Sequence, residues 1–385
     1  MKGAVTDGVS KLKLKLEVVK NFDKFENQPV LEIVNSDAEK NETATGSLGE
    51  GVKEIRRLDM DLKTGSGKTR AIYTAPAKFV RIETDKISPE RYIQLKVNSS
   101  SEGLPKIILK RPPVNLVHGV WADETSWNNF EEIFNNNKQY DVFRTDYRGN
   151  NAGSFKSNVE NVKIMIDSKL KETLASGFAA SKVNYIGHSM GGLLLKEYCL
   201  AYGNCVNTIN KYVSIDSPHK GSELANLVIN VNATREAKCL SVLDDIATYG
   251  DKEVWVKDSN KKIIVGGLDD LAVGSKALRL QQDFKQEFPW QAIVGVAEDG
   301  EFGHSREYKM LWSFINSRCY LSPDSSFSTW FGYVKPLFNG KNDRIVSISS
   351  QAGSSLNVVT VDKVDHSTVL KNEKTIDFVK KFIEE

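Results

Sequence analysis

KVNYIGHSMGGLLLKEYCLAY, residues 182–202, contains the turn on which the reading of this chain depends. Val183 to Ile186 form an apolar run of strand length, and from Leu193 onward the apolar residues recur as in a helix. Between them stands Gly187-His188-Ser189-Met190-Gly191. A serine at a strand-to-helix corner projects its hydroxyl beyond the sheet, and small flanking residues let the backbone make so tight a turn. The helix N-terminus behind it favours negative charge developing nearby. The pattern G-x-S-x-G arises by chance in about one chain of this size in ten, and far less often at such a corner. Ser189 is therefore the candidate nucleophile.

Outward from this turn, apolar runs alternate with helical patterns. Strands are predicted at VNLVHG (114–119), DVFRTDY (141–147), KYVSID (211–216), QAIVGVA (291–297) and LNVVTVD (356–362), besides the one ending at Ser189. WNNFEEIFNNN and NVENVKIMIDSKLKETLASG carry apolar residues at helical spacing between the first of them. Right-handed crossovers through these helices predict a parallel, doubly wound α/β sheet.

Acyl transfer needs donors for the oxyanion of its tetrahedral intermediate as well as a nucleophile. The strand PVNLV ends in His118-Gly119-Val120-Trp121, a loop suited to supply one backbone N–H from Val120, with a second from Met190 after the serine. His118 reads as a structural residue of that loop.

LVHGVW, DYRGNNAGS, IGHSMGG, SIDSPHKGSELA and NDRIVSISSQAGS occur in the order shown by bacterial triacylglycerol lipases and related esterases, which residues 113–385 resemble. The resemblance implies the α/β-hydrolase fold. It departs from many such lipases at Trp121, where they have a small residue, and at Asp343-Arg344, where they have an acidic residue followed by glycine. In this fold the acid and then the histidine follow the serine along the chain. His219, His304 and His366 are thus the histidines open to the role. His366 follows the last predicted strand, whose carboxyl end opens at the same sheet edge as Ser189, and is the expected base. Asp343 is the expected acid that fixes the imidazole tautomer, with Asp216, at the end of KYVSID, as the alternative. His219 reads as structural and His304 as an exposed loop residue.

The rest of the chain narrows the function classes. Its 385 residues, 40% hydrophobic and 26% charged, suit a soluble globular protein. Its 52 basic and 50 acidic residues nearly balance, so nothing in its charge calls for nucleic acid. No apolar run has the length to span a bilayer, so stable membrane insertion is not expected, and MKGAVTDGVSKLKLKLEVV lacks the apolar core of a secretory signal. No metal-binding motif occurs, so the chemistry is expected to need neither metal nor cofactor, while the resemblance to lipases leaves a structural calcium open.

Residues 1–110 show short alternating runs such as KLKLKLEVV, QPVLEIVN and RYIQLKVN, predicting an all-β sandwich. AIYTAPAKFVRIETD resembles a corner of bacterial immunoglobulin-like domains. TGSGKTR (64–70) lacks the first glycine of a P-loop and runs into a β-like stretch, so it reads as a hairpin turn. Arg111-Pro112-Pro113 places the boundary near Lys110, with a catalytic domain at 111–385 and a cap inserted at about 219–290. Residues 113–385 are expected to fold alone. Cys199, Cys205, Cys239 and Cys319 read either as buried thiols or, in an oxidising compartment, as Cys199–Cys205 and Cys239–Cys319 bridges.

The expected activity is hydrolysis of carboxylic esters with short to medium acyl chains, with Trp121 and Trp127 lining the pocket. Acyl transfer or thioester cleavage on the same scaffold is the alternative, and a catalytically inert adhesion protein lies further off. The immunoglobulin-like reading places the protein outside the cell or at its surface, its β-domain a spacer or a polymer contact; a cytoplasmic location is the alternative.

Overall fold

The computed structural model describes residues 2–17, 30–34, 46–49, 57–59, 68–79, 88–97, 104, 106–203, 205–223, 225–226, 266–282, 284–297 and 340–385. His304, Cys239, Cys319 and most of the predicted helical stretch ELANLVINVN lie outside them.

The six strands predicted for the α/β part are β9 (Val114–Val117), β10 (Val142–Thr145), β12 (Val183–His188), β13 (Ile209–Ile215), β14 (Trp290–Val296) and β15 (Asn357–Asp362). They form one sheet, in the order β10-β9-β12-β13-β14-β15. Every neighbouring pair is parallel. Burial on both faces is why the central strands read as near-continuous apolar runs: all six residues of β12 are buried, whereas the edge strand β15 is largely exposed. Successive side chains feed opposite cores. Tyr185 packs with Leu194, Tyr198 and Tyr212 on one face, and Ile186 with Leu116, Val213 and Ile293 on the other.

Helices α2 (Phe155–Ala175) and α3 (Met190–Tyr202) cover the first face. In α2 the Ser154 hydroxyl caps the N-terminus by accepting from the Ser157 amide, and Phe155, Val159, Val162 and Ile166 turn inward at helical spacing. Two shorter helices, α4 (Gly266–Leu271) and α5 (Lys276–Gln282), send Leu268, Leu271 and Leu278 to the same core. Helix α1 (Asn128–Phe134) and the C-terminal helix, Glu373–Glu384, cover the second face, where Phe130, Phe134, Val379 and Phe382 meet the sheet. A disulfide joins Cys199 near the end of α3 to Cys205, closing the short connection toward β13.

The N-terminal part is built from β1 (Gly3–Val5), β2 (Lys11–Glu17), β3 (Val30–Val34), β4 (Ser47–Leu48), β5 (Arg57–Asp59), β6 (Lys68–Thr74), β7 (Glu90–Val97) and β8 (Ile107–Lys110). One sheet has the order β2-β6-β4. The other takes in β11 (Phe178–Ala179), a short strand from the connection between α2 and β12, and has the order β11-β1-β8-β7-β3-β5. Along β7, buried Arg91, Ile93 and Leu95 alternate with more exposed neighbours, as in a sheet with one covered face. Lys68 and Thr69 of the P-loop-like stretch pair antiparallel with β2, in a strand rather than at a helix start.

The two parts are stitched together across the predicted boundary. Strand β11 pairs parallel with β1, which pairs parallel with β8 on its other side. Buried Asp7 is the knot. One carboxylate oxygen accepts from the Val9 and Ser10 amides, at 3.0 and 2.7 Å. The other accepts from the Ser10 hydroxyl at 2.7 Å and from the Ser181 and Lys182 amides at 3.0 and 3.2 Å. Buried Arg111 lies over the Phe79 ring, 3.9 Å from its centroid, and pairs with Glu384 of the C-terminal helix at 2.9 Å. Cutting the chain at Pro113 would strip the Ser181 and Lys182 amides of their acceptor, a cost that the expectation of independent folding left out.

Candidate active site

Ser189 sits at φ 55° and ψ −128°, a conformation that side chains other than hydrogen rarely adopt. Such strain costs on the order of 1–3 kcal/mol and must be held by its surroundings. The Ser189 amide donates to the Ile215 carbonyl at 2.9 Å, and its carbonyl accepts from the Gly192 amide at 3.1 Å. The neighbouring glycines are steric requirements. A β-carbon at Gly187 would lie 2.5 Å from the Gly192 nitrogen, and one at Gly191 would run into the Val117 carbonyl oxygen. At Gly119 it would come within 2.8 Å of the Ser189 β-carbon. The loop after β9 thus presses on Ser189. Ser189 is only 5% exposed, covered rather than at the solvent-facing turn that the motif implied.

His366 lies on the loop that follows β15. Its Nδ1 is 2.6 Å from Asp343 Oδ2, and its amide donates to the Asp343 carbonyl at 3.1 Å. Asp343 is wholly buried, and its Oδ1 accepts from the Ile345 and Val346 amides at 2.9 and 2.6 Å. These bonds fix the direction of the carboxylate. With Nδ1–H given to Asp343, His366 keeps Nε2 unprotonated and able to take a proton. His188, adjacent to Ser189, donates from Nε2 to the His366 carbonyl at 2.9 Å, and the two rings lie 4.8 Å apart. Burial, then the neighbouring His366, drives the His188 pKa well below the ordinary imidazole value, so His188 stays neutral.

Asp216, the alternative acid, ends β13 at φ 48° and is also wholly buried. Its Oδ1 accepts from the Gly295 amide at 2.6 Å, and a β-carbon on Gly295 would lie 2.5 Å from its Oδ2. That Oδ2 has no hydrogen-bond donor among the described residues. Atoms of Asp216, Asp343 and His366 lie within 4.8 Å of one another, a set whose chemistry could also hold a cation. Burial, then repulsion from Asp343, pushes the Asp216 carboxyl well above the usual range. The contact with the imidazole Nδ1 belongs to Asp343.

The other predicted site residues separate. Val120 and Trp121 are half-buried in the loop beside Ser189, and Met190 supplies the first N–H of α3, which no intrahelical acceptor can satisfy. Trp127 is 0% exposed and packs edge-on against Phe130, ring centroids 5.1 Å apart, in the core beneath α1. Its ring also meets that of His188, the residue before Ser189, edge-on with centroids 6.5 Å apart, so it backs the site as a core residue and exposes no surface of its own to a pocket. His219 bonds the Ser214 hydroxyl at 3.1 Å and meets the Trp290 ring edge-on, while burial holds its pKa well down. His118 stacks on Tyr147, centroids 3.9 Å apart, and its carbonyl accepts from the Tyr147 hydroxyl.

Two contributors had escaped the sequence reading. His188 is the variable residue within the serine motif, and nothing in the motif assigns it a bond to the His366 loop. Asn151, within DYRGNNAGS, bonds the loop that carries Val120; its side chain between two turn glycines was the available signal.

A family model described as the α/β-hydrolase fold matches residues 112–235. The parallel strands and the serine corner within those residues agree with the match. Among solved structures, the mature form of the lipase BlEst2 from Bacillus licheniformis is similar at 18% identity, covering 71% of this chain and 91% of that one, with a TM-score of 0.49. The Staphylococcus hyicus lipase is similar at 15% identity, covering 71% and 96%, with a TM-score of 0.42. A thermophilic esterase from Thermogutta terrifontis is similar at 13% identity, covering 77% and 98%, with a TM-score of 0.37. No curated protein matches the sequence.

Proposed function

We propose that this protein hydrolyses carboxylic esters through Ser189, His366 and Asp343. The observation that carries the reading is the 2.6 Å contact between Asp343 and the His366 Nδ1, on the loop that also bonds the residue preceding the strained serine. In this mechanism Ser189 Oγ attacks the ester carbonyl while His366 Nε2 takes its proton. The Val120 and Met190 amides hold the oxyanion, and the alcohol leaves with the proton from His366. Water, activated by the same imidazole, then releases the acid and restores the serine.

Short to medium acyl groups, on the order of 4 to 10 carbons, fit this reading best, because bulky Trp121 stands beside the expected carbonyl site. We place the protein outside the cell or at its surface. The Cys199–Cys205 bridge supports an oxidising compartment, and no described helix is long and apolar enough to cross a membrane. In the same reading residues 1–110 form an accessory β-domain that serves as a spacer or as a contact for polymer or cell surface.

The test has two arms. A fluorophosphonate probe should label Ser189, identified by peptide mapping, and kcat/KM across a p-nitrophenyl ester series should peak below long chains. Absence of label with no turnover of any ester defeats the reading; preference for emulsified triolein replaces an esterase by a lipase.

A further inference from the structure

The loop assigned to the oxyanion does not hold its own shape. Trp121 lies at φ 54°, a left-handed conformation that a bulky side chain resists. The brace comes from across the sheet edge. Asn151 follows the 3-10 turn Arg148–Asn150 after β10 and is 1% exposed. Its Oδ1 accepts from the Trp121 amide, and its Nδ2 donates to the Ala122 carbonyl. The same Nδ2 lies 3.3 Å from the Gly119 carbonyl oxygen and 3.4 Å from His118 Nδ1.

A planar side-chain amide offers one acceptor and two donors at fixed angles, so binding an N–H and two carbonyls of one loop fixes the rotation of its peptide units. Bonding to Asn151 also removes the Trp121 amide from use by substrate. Val120, one residue earlier, has no acceptor for its N–H among the described residues. Oxyanion catalysis depends on donors aimed before the charge appears, and a small misplacement forfeits much of the gain.

We propose that Asn151 is a positioning residue that sets the direction of the Val120 N–H by clamping Gly119, Trp121 and Ala122. The proposal rests on the ester-hydrolase reading above. It requires the amide's paired donor and acceptor, so a side chain of the same shape with altered polarity should also fail.

The experiment compares Asn151→Ala, Asn151→Asp and Ser189→Ala in the full chain, using p-nitrophenyl butyrate. Two inhibitors are added: a 1,1,1-trifluoro-2-alkanone, which forms an oxyanion on serine, and the matching trifluoro alcohol, which cannot. Both Asn151 variants should lose about 10- to 100-fold in kcat, less than the roughly 10²–10³ attached to a complete oxyanion donor, with KM within about twofold. Ketone affinity should fall by the same factor and alcohol affinity should hold. Activity and ketone affinity within about twofold of wild type in a folded variant overturn the proposal. So does equal loss of ketone and alcohol affinity, which marks general pocket damage. If neither Asn151 variant folds, the residue is structural and the positioning role is rejected. Turnover surviving in Ser189→Ala instead defeats the hydrolase reading itself.

Discussion

The catalytic part and the N-terminal β part store their information differently. Around Ser189 the constraint is local and steric, since Gly119, Gly187 and Gly191 are small because a β-carbon at each would strike backbone or the nucleophile. The N-terminal part gains its hold on the rest through one carboxylate, Asp7, and through strands that meet far along the chain. The proposed chemistry is therefore concentrated at one edge of the parallel sheet, whereas mechanical integrity is spread over both parts.

The sharpest break in that contrast would be a Ser189→Ala variant that keeps its activity. The expected loss is at least about 10⁴-fold in kcat with an intact fold, read by ester turnover and circular dichroism. Next come the two carboxyls. Asp343→Asn should lower kcat by about 10³- to 10⁴-fold, because the amide stabilises the wrong imidazole tautomer, whereas Asp216→Asn should cost less than about tenfold. The reverse ranking would move the acid to Asp216.

On the mechanical side, Asp7→Ala orphans four backbone amides and should lower Tm by several degrees, while kcat/KM per folded molecule stays unchanged. Residues 113–385 expressed alone should give less soluble, less stable enzyme than the full chain. Full stability in that fragment would show the stitch to be dispensable.

How legible this was depended on whether a structural demand leaves a local trace. The central parallel strands, buried on both faces, leave apolar runs, and the more exposed edge strands β10 and β15 were predicted from their alternation with helical stretches, while the tight corner at Ser189 leaves its glycines. Asp343 and His366 were proposed through chain order in a resembling family, and the fold brings the two side chains to 2.6 Å from each other. The full burial of Trp127 left no trace, because an aromatic residue after a loop does not declare how deeply it will enter the core. Asp216 and Asp343 stand side by side only because successive strands stack their carboxyl ends, and the two-residue β11 is too short to carry any periodicity.

The smallest predicted effect concerns pH. Burial and Asp343 raise the Asp216 carboxyl above its ordinary value of 3.8. Its contribution to stability is full below about pH 4 and is lost as pH rises toward the folded value, since the unfolded chain then releases a proton that the folded one retains. The amide introduced by Asp216→Asn cannot titrate. The Tm of that variant relative to wild type should therefore climb between pH 4 and 8; a flat difference would show Asp216 ionised in the fold.

The parallel placement of β1 between β8 and β11 also bears on biosynthesis. β1 leaves the ribosome first of the three, yet it lacks one neighbour until Lys110 has been made and the other until Ala179 has followed. By then β9, β10 and α2 are already out. The N-terminal sheet therefore cannot take its last strand until the first two strands and helix α2 of the parallel-sheet part have been made. A delay in docking Phe178 to Lys182 would hold back both the last strand pairing of one half and the strand that delivers Ser189 in the other.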